Sequence, residues 1–167
     1  MSILATSSDP LESAVVLCDQ RLRSQMGYTA NVLSAVLHKH DLASGPLIGS
    51  PAKVSPRFVG WAAASWDNFM WLAFYGLALC EEHAHRFGVL PPTTAQIVAC
   101  ANVGYLVSDK DSFSPVSWER CEETPTHSEL SVFEANQKFL SHEWRCEDSP
   151  PRWTSANPPQ WVWVSPR

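Results

Sequence analysis

The sequence predicts an all-α protein, a single compact bundle of four or so helices with an extended C-terminal tail rich in Pro and Trp. Apolar residues recur near the 3.6-residue helical period, and no stretch shows the two-residue alternation of a strand. A length of 167 residues with 45% hydrophobic content suffices for one core. We therefore expect a helical domain at residues 1–148 and an aromatic, Pro-rich tail at 149–167 that packs on it.

A first helix is predicted to start at Pro10 and to continue through Leu37. Asp9 suits the N-cap position, Pro10 suits the first helical position, and Glu12 is placed to complete the capping arrangement. An apolar stripe at helical spacing follows this start. Gly27 interrupts the stripe, which indicates a kink or a close approach there.

A central helix is predicted after a loop at residues 41–56 and a short helix from Ser55-Pro56 through Ala64. Ser65 and its neighbours form a helix start, and Gly88 suits a left-handed C-cap after Phe87. This helix is apolar on nearly all sides between residues 69 and 80, so we expect it to be central.

Two further helices are predicted in the second half of the chain. Thr93 or Thr94 is expected to cap a helix that ends near Val107. Residues 126–129 read as a capping box for another helix that ends near Cys146.

Charge and composition exclude several classes of protein. The net charge of −5 excludes coating of nucleic acid by bulk charge, so any contact with DNA must be local. The N-terminal sequence lacks the features of a signal peptide, and the longest apolar run is about half of a bilayer span. Five Cys residues without a CxxC pair indicate reduced thiols. We expect a cytoplasmic protein with no membrane partner.

Two clusters of polar residues are candidates for chemistry. The first lies on the first helix and comprises Asp19, Arg21, Arg23, Tyr28, Asn31 and His38. The alternative there is a surface ion pair between Asp19 and Arg23, which are four residues apart. The second cluster ends the central helix and comprises Cys80, Glu81, Glu82, His83, His85 and Arg86. It is either the lining of a pocket or an ordinary solvated helix end.

Two weaker patterns remain open. Cys80 with His83, and His142 with Cys146, have spacings that place two metal ligands on one helix face, so the two pairs are candidates for a zinc site. The tail carries Trp residues near Arg, which suits either stacking on nucleic-acid bases or packing of the tail onto the core. These residues are Trp153, Trp161, Trp163, Arg152 and Arg167. Motifs for nucleotide cofactors are absent, and we expect no cofactor.

Three sets of short motifs resemble a known family. Residues 17–22 (LCDQRL) lie on the first helix. The central helix region carries Trp61, Ser65, Asn68, Phe69, Trp71 and Leu72, and then Glu82, Arg86, Phe87 and Gly88. The tail carries Pro158, Pro159 and Trp161. Over most of residues 14–163 this pattern resembles the small all-helical pyrimidine-dimer DNA glycosylases of phages and a looser group of phage and bacterial proteins around them.

The resemblance implies a phage-type enzyme that acts on a modified, thymine-derived pyrimidine base in DNA. Tyr28 stands where the glycosylases have their catalytic Glu, which favours a transferase-like base hypermodification, with an amino acid or amine as co-substrate, over base excision. The implied catalytic residues, which would orient an amine nucleophile and a phosphate leaving group, are Asp19, Glu82, His85 and Arg86. The implied substrate-binding residues are Arg21, Arg23, Tyr28, Asn31, His38, Trp66 and Asn68.

This hypothesis predicts one cationic face beside a polar pocket, formed by Arg21, Arg23, Lys53, Arg57 and Arg86. A second hypothesis is a non-catalytic interaction protein, such as a phage inhibitor of a host factor, in which the acidic residues 109–148 mimic DNA. A third is a small helical metalloenzyme that uses the Cys and His pairs above.

Overall fold

The computed structural model describes residues 2–49, 54–114 and 130–162, and within them it contains six α-helices and no strand. The all-α prediction is therefore confirmed. The helices are α1 (Pro10–Val15), α2 (Asp19–Lys39), α3 (Pro56–Ala62), α4 (Trp66–Phe87), α5 (Thr93–Val103) and α6 (Val132–Cys146). Two short 3₁₀ turns follow, at Gly104–Leu106 and Gln160–Val162.

The first predicted helix is two helices, because the chain leaves helical geometry between α1 and α2. Cys18 is extended, with φ −67° and ψ 161°. The apolar spacing continues through this break, so periodicity could not reveal it. Asp9 caps α1 as predicted, with Oδ1 accepting from the Leu11 N–H at 2.7 Å. Glu12 does not complete that cap, since its carboxylate accepts from the Ser7 hydroxyl instead.

Helix α4 is the central helix, and it contacts α1, α2, α3 and α5. The Phe69, Leu72 and Tyr75 side chains are fully buried, which follows from the apolar run in this part of the sequence. Both predicted ends are confirmed. Ser65 Oγ accepts from the Asn68 N–H, and Gly88 closes the helix with φ +74°.

The starts of α5 and α6 differ from the predicted ones. Pro92 precedes α5 and no side chain caps it, so the predicted Thr cap is wrong. Helix α6 starts with a capping box formed by Ser131 and Glu134. The predicted box at residues 126–129 lies outside the described residues, and the predicted end at Cys146 is confirmed.

The N-terminal segment is pinned to the helices by buried hydrogen bonds. The Gln25 side chain of α2 accepts from the Leu4 N–H at 3.2 Å and donates to the Ser2 carbonyl at 2.9 Å. Asn136 of α6 donates to the Ala5 carbonyl at 2.7 Å. The segment therefore joins α2 to α6, the two helices that carry these amides.

Residues of the tail contact α6 and the α1–α2 break. The Trp161 ring stacks on Trp144 at 5.6 Å, and the edge of Trp153 meets Trp144 at 5.1 Å between ring centroids. The Trp153 indole N–H donates to the Val16 carbonyl at 3.0 Å. Trp163 and Arg167 lie outside the described residues. No helix in the described ranges combines the length and apolar content that crossing a bilayer requires.

Two helical glycines differ in the space around them, which makes a testable pair. A Cβ at Gly27 would have no atom of another element within 4 Å, so the predicted close approach there is wrong. A Cβ at Gly76 would lie 2.9 Å from Thr29 Cγ2 and 3.0 Å from Ile97 Cδ1, where α4 packs on α2 and α5.

We expect Gly27→Ala to stabilise the protein by about 0.5–1 kcal/mol through helix propensity. Gly76→Ala has the same propensity gain but adds a clash, so the two variants should differ by about 1–3 kcal/mol. Urea unfolding followed by circular dichroism measures both. Equal free energies of unfolding for the two variants would show that the Thr29 and Ile97 side chains move aside without destabilising the fold.

Candidate functional site

The Arg86 guanidinium is the centre of a buried ionic cluster at the C-terminal end of α4. Its side chain is 0% exposed. Nε donates to Glu82 Oε1 at 2.7 Å, and Nη1 donates to Asp19 Oδ1 at 3.0 Å. Nη1 and Nη2 also donate to the carbonyls of Leu17 and Val15 at 2.8 and 2.9 Å. Because a guanidinium has five N–H donors, these four bonds leave at most one for a ligand.

The helix break explains why these carbonyls are free to accept. Val15 and Leu17 lie where α1 ends and α2 has not begun, so the backbone there supplies acceptors that a continuous helix would use itself. Arg86 is four residues after Glu82 on α4, which puts both side chains on one helix face. The sequence therefore positions the cluster through one helix end and one interrupted helix.

Asp19, the first residue of α2, is held from two sides. Its carboxylate accepts from Arg86 and from the N–H and hydroxyl of Thr154 in the tail, the hydroxyl at 2.7 Å. Burial alone would raise the pKa of Asp19, but the hydrogen bonds from Thr154 and Arg86 outweigh burial and lower it. The carboxylate is therefore ionised at neutral pH, and it can orient a cation or a donor but cannot supply a proton.

Glu82 is the member of the cluster with an available oxygen. Its Oε1 accepts from Arg86, whereas Oε2 has no hydrogen-bond partner among the described residues. The side chain is 12% exposed. A carboxylate with one oxygen fixed and the other available has the geometry of an oriented proton acceptor.

Comparisons with family models, with curated proteins and with solved structures give no match for this chain.

The structure brings together three of the four predicted catalytic residues, namely Asp19, Glu82 and Arg86. His85 is exposed on α4 and forms no hydrogen bond to them. Cys18 lies beside Asp19 and is buried. Burial raises the pKa of the Cys18 thiol, so the thiol is not an activated nucleophile.

Two members of the predicted cationic face do not contribute to it. Arg86 is buried, and Arg21 pairs with Glu143 at 2.7 Å and Glu147 at 3.3 Å on α6. The Arg23 guanidinium lies 4.5 Å from the centre of the Phe87 ring. Lys53 lies outside the described residues. Two of the four described arginines of this set are therefore held by carboxylates rather than presented to a phosphate.

The other predicted substrate-binding residues lie away from the cluster. Tyr28 accepts from the Ser55 N–H at 3.4 Å, and His38 Nε2 is 3.0 Å from the Gly49 carbonyl. His38 lies about 28 Å along α2 from Asp19 at 1.5 Å per residue, and Asn31 is half-buried between them.

Trp66 and Asn68 lie at the opposite end of α4 from Glu82 and Arg86. The buried Asn68 amide donates to the Trp61 carbonyl and to Ser114 Oγ, each at 3.0 Å, and accepts from the Ser114 N–H at 2.8 Å. Asn68 therefore fixes the chain after the 3₁₀ turn, and its side chain is not free for a ligand. Trp66 is partly exposed beside it.

The two predicted pairs of metal ligands do not meet. Within residues 2–49, 54–114 and 130–162, no group of three or more His, Cys, Asp or Glu side chains is placed to hold a metal ion. Cys80 is buried in α4, and Cys146 Sγ lies 3.8 Å from His142 Nε2 on α6. The zinc site formed from both pairs is therefore wrong.

Sequence reasoning missed Thr154, which holds Asp19, and the Trp153 bond to the α1–α2 break. The Pro- and Trp-rich composition indicated packing of the tail but not its partner. A groove of about 250 Å³ is lined by Val15 and Val16 at the helix break, but by none of Asp19, Glu82 and Arg86. Its other lining residues are Thr6, Ser7, Glu12, Gln137 and Trp161.

The lowered pKa of Asp19 predicts an acid-dependent part of the stability. A carboxyl whose folded pKa is depressed stabilises the fold above its unfolded pKa, and this contribution is lost as pH falls through the folded pKa. We expect Asp19→Asn to unfold at lower urea than wild type at pH 7, and the gap to begin to narrow as the pH falls below about 4. Urea unfolding at a series of pH values from about 7 to about 2.5 measures this gap, since that range spans the ordinary pKa of Asp. A gap that does not change with pH would contradict the ionic role of Asp19.

Proposed function

We propose that the protein is an enzyme acting on a modified, thymine-derived pyrimidine base in DNA, with Glu82 as its proton acceptor. One observation supports this proposal. Asp19, from the LCD motif, and the Glu82–Arg86 pair, from the end of the central helix, lie in one buried cluster although 63 residues separate Asp19 from Glu82. These are the motifs on which the resemblance rests.

Arg86 is buried, and the Asp19 and Glu82 side chains are only 14% and 12% exposed, which supports a role of this cluster in function. Apolar residues of similar volume often stabilise a core as well as a buried ionic cluster does, so stability alone does not require the charges. Arg86 has little hydrogen-bonding capacity left, and we assign it as a positioning residue. It fixes Glu82 Oε1 and leaves Oε2 for a reacting proton.

The proposed reaction is substitution at the 5-methyl carbon of the base. The amine nitrogen forms a bond to that carbon, and the bond to the phosphate-type leaving group breaks, with the electron pair leaving on the phosphate oxygen. The ammonium proton passes to Glu82. The alternative reaction of the same residues is base excision, in which the modified base is released from the DNA.

The test uses duplex DNA that contains 5-hydroxymethyluracil, with and without a phosphate on the hydroxymethyl group, incubated with free amino acids and short diamines. Nucleoside mass spectrometry is expected to detect a new adduct with the phosphorylated base. Glu82→Gln should lower its rate by about 10²–10⁴-fold, since the amide cannot accept the proton.

Glu81→Gln is the matched control, because Glu81 is the exposed neighbour on the same helix. It should leave the rate unchanged. Absence of any adduct or released base on either DNA would overturn the proposal, and so would equal rates for Glu82→Gln and wild type. Unfolding curves for both variants separate loss of chemistry from loss of fold.

A further inference from the structure

The solvent-facing side of the central helix is mostly apolar over its first three turns. Apart from Asp67, the exposed or half-buried positions of this half of α4 fall four or three residues apart, at Trp66, Met70, Phe74 and Leu77. Trp66 is 37% exposed and Phe74 is 53% exposed. A helix that is apolar on all sides is normally covered on all sides, and the described residues do not cover these side chains.

A 3₁₀ turn extends this surface. Gly104 begins the turn, and a Cβ there would lie 2.5 Å from Phe69 Cε1 and 3.3 Å from Met70 Sδ. Only glycine allows the turn to approach α4 so closely, and the approach sets Tyr105 (67% exposed) and Leu106 beside the helix. We call the surface formed by Trp66, Met70, Phe74, Leu77, Tyr105 and Leu106 the α4 face.

The size of the α4 face is that of an interaction site. Its three aromatic side chains alone expose roughly 300 Å², taking about 200 Å² for each whole side chain. The largest apolar patch of a typical monomer is about 300–600 Å² and is often functional.

Charge around the α4 face selects the partner. Asp67 lies in the first turn of α4, and the Trp66 N–H donates to the Lys110 carbonyl, which places Asp109, Lys110 and Asp111 beside the same turn. Glu81 follows Leu77 by one helical turn. Four acidic residues and one Lys therefore lie near the two ends of the face. They repel nucleic-acid phosphates, and they repel the same carboxylates of a second copy.

We propose that the α4 face binds a cationic amphipathic segment of another protein, with apolar side chains at helical spacing flanked by Lys or Arg. The apolar side chains of the partner cover Phe74, Met70 and Tyr105, and its cations meet the nearby carboxylates. The proposal is independent of the chemistry at Glu82, which lies on another side of α4.

The test measures binding of a fluorescently labelled helical peptide of Leu and Lys by polarisation, against a matched peptide of Leu and Glu. Wild type should bind only the Lys peptide, saturably. Phe74→Glu and Tyr105→Glu should each weaken this binding at least tenfold. Both changes add negative charge, which by itself would strengthen the attraction of the Lys peptide. A loss of affinity would therefore be due to loss of the apolar contact.

Leu11→Glu is the matched control, because Leu11 is exposed to the same extent (52%) on α1. It should leave binding unchanged. Equal binding by Phe74→Glu and wild type, or equal loss in Leu11→Glu, would overturn the proposal. Two other results would also overturn it, because each would identify a different binding partner for the α4 face. One is self-association of wild type, seen by light scattering, that Phe74→Glu abolishes. The other is binding of a single-stranded oligonucleotide that the same variant abolishes.

Discussion

Replacing Arg86 by Met should lower the free energy of unfolding by about 3–5 kcal/mol, as expected for loss of one partner from a buried ionic cluster. The substitution removes the donor to Glu82 and to two backbone carbonyls, and it leaves the Asp19 carboxylate with Thr154 alone. In a chain of this size the melting temperature should fall by about 6–20 °C. Thermal and urea unfolding followed by circular dichroism measure the change.

Arg86→Lys should also be destabilised, because an ammonium on a flexible stem cannot reproduce the planar fork that reaches four acceptors. The control is Arg23→Met, which removes an exposed guanidinium that lies over a ring and should change stability by about 1 kcal/mol or less. If Arg86→Met unfolds like wild type, the cluster does not hold the helix break in place.

Replacing Trp144 by Ala should cost about 3–5 kcal/mol, the range for truncation of a large buried aromatic side chain. The ring is nearly fully buried on α6, stacked on Trp161 and in edge contact with Trp153. Its removal takes away the surface against which both tail indoles pack. Urea unfolding measures the loss of stability.

A second measurement follows the tail itself. Trypsin should cleave after Arg152 faster in Trp144→Ala than in wild type, because the segment before Trp153 is then held only through Asp19 and Val16. Phe74→Ala removes an exposed aromatic side chain and should stay within about 1 kcal/mol of wild type. Equal cleavage rates for Trp144→Ala and wild type would mean that the indole stack does not retain the tail.

The elements of the fold that were predictable have local causes. Asp9, Ser65 and Gly88 mark helix ends through short-range hydrogen bonds or backbone conformation, which the sequence states directly. The break between α1 and α2 depends instead on Arg86 and Trp153, which are distant in the chain. A helical apolar period continues through residues 16–18, so nothing local marked it.

The candidate site was predictable in its members but not in its bonding. The end of a buried helix indicated that Glu82 and Arg86 would meet other polar groups. The partner Thr154 gave no signal, because a single hydroxyl in an irregular segment has no pattern. Asn68 was grouped with the site through the family motif, and Trp66 was predicted to bind substrate with it, whereas α4 separates them from Arg86 by about 27 and 30 Å at 1.5 Å per residue.

The hydrogen bonds of the N-terminal segment bear on how the protein folds during synthesis. Asn136 reaches Ala5 across 131 residues, and Thr154 reaches Asp19 across 135. Contacts of such long range close large loops and slow folding. A ribosome-bound chain cannot form the first bond before residue 136 has emerged or the second before residue 154, so the Ala5 carbonyl and the Asp19 carboxylate lack these partners until most of the polypeptide has been made.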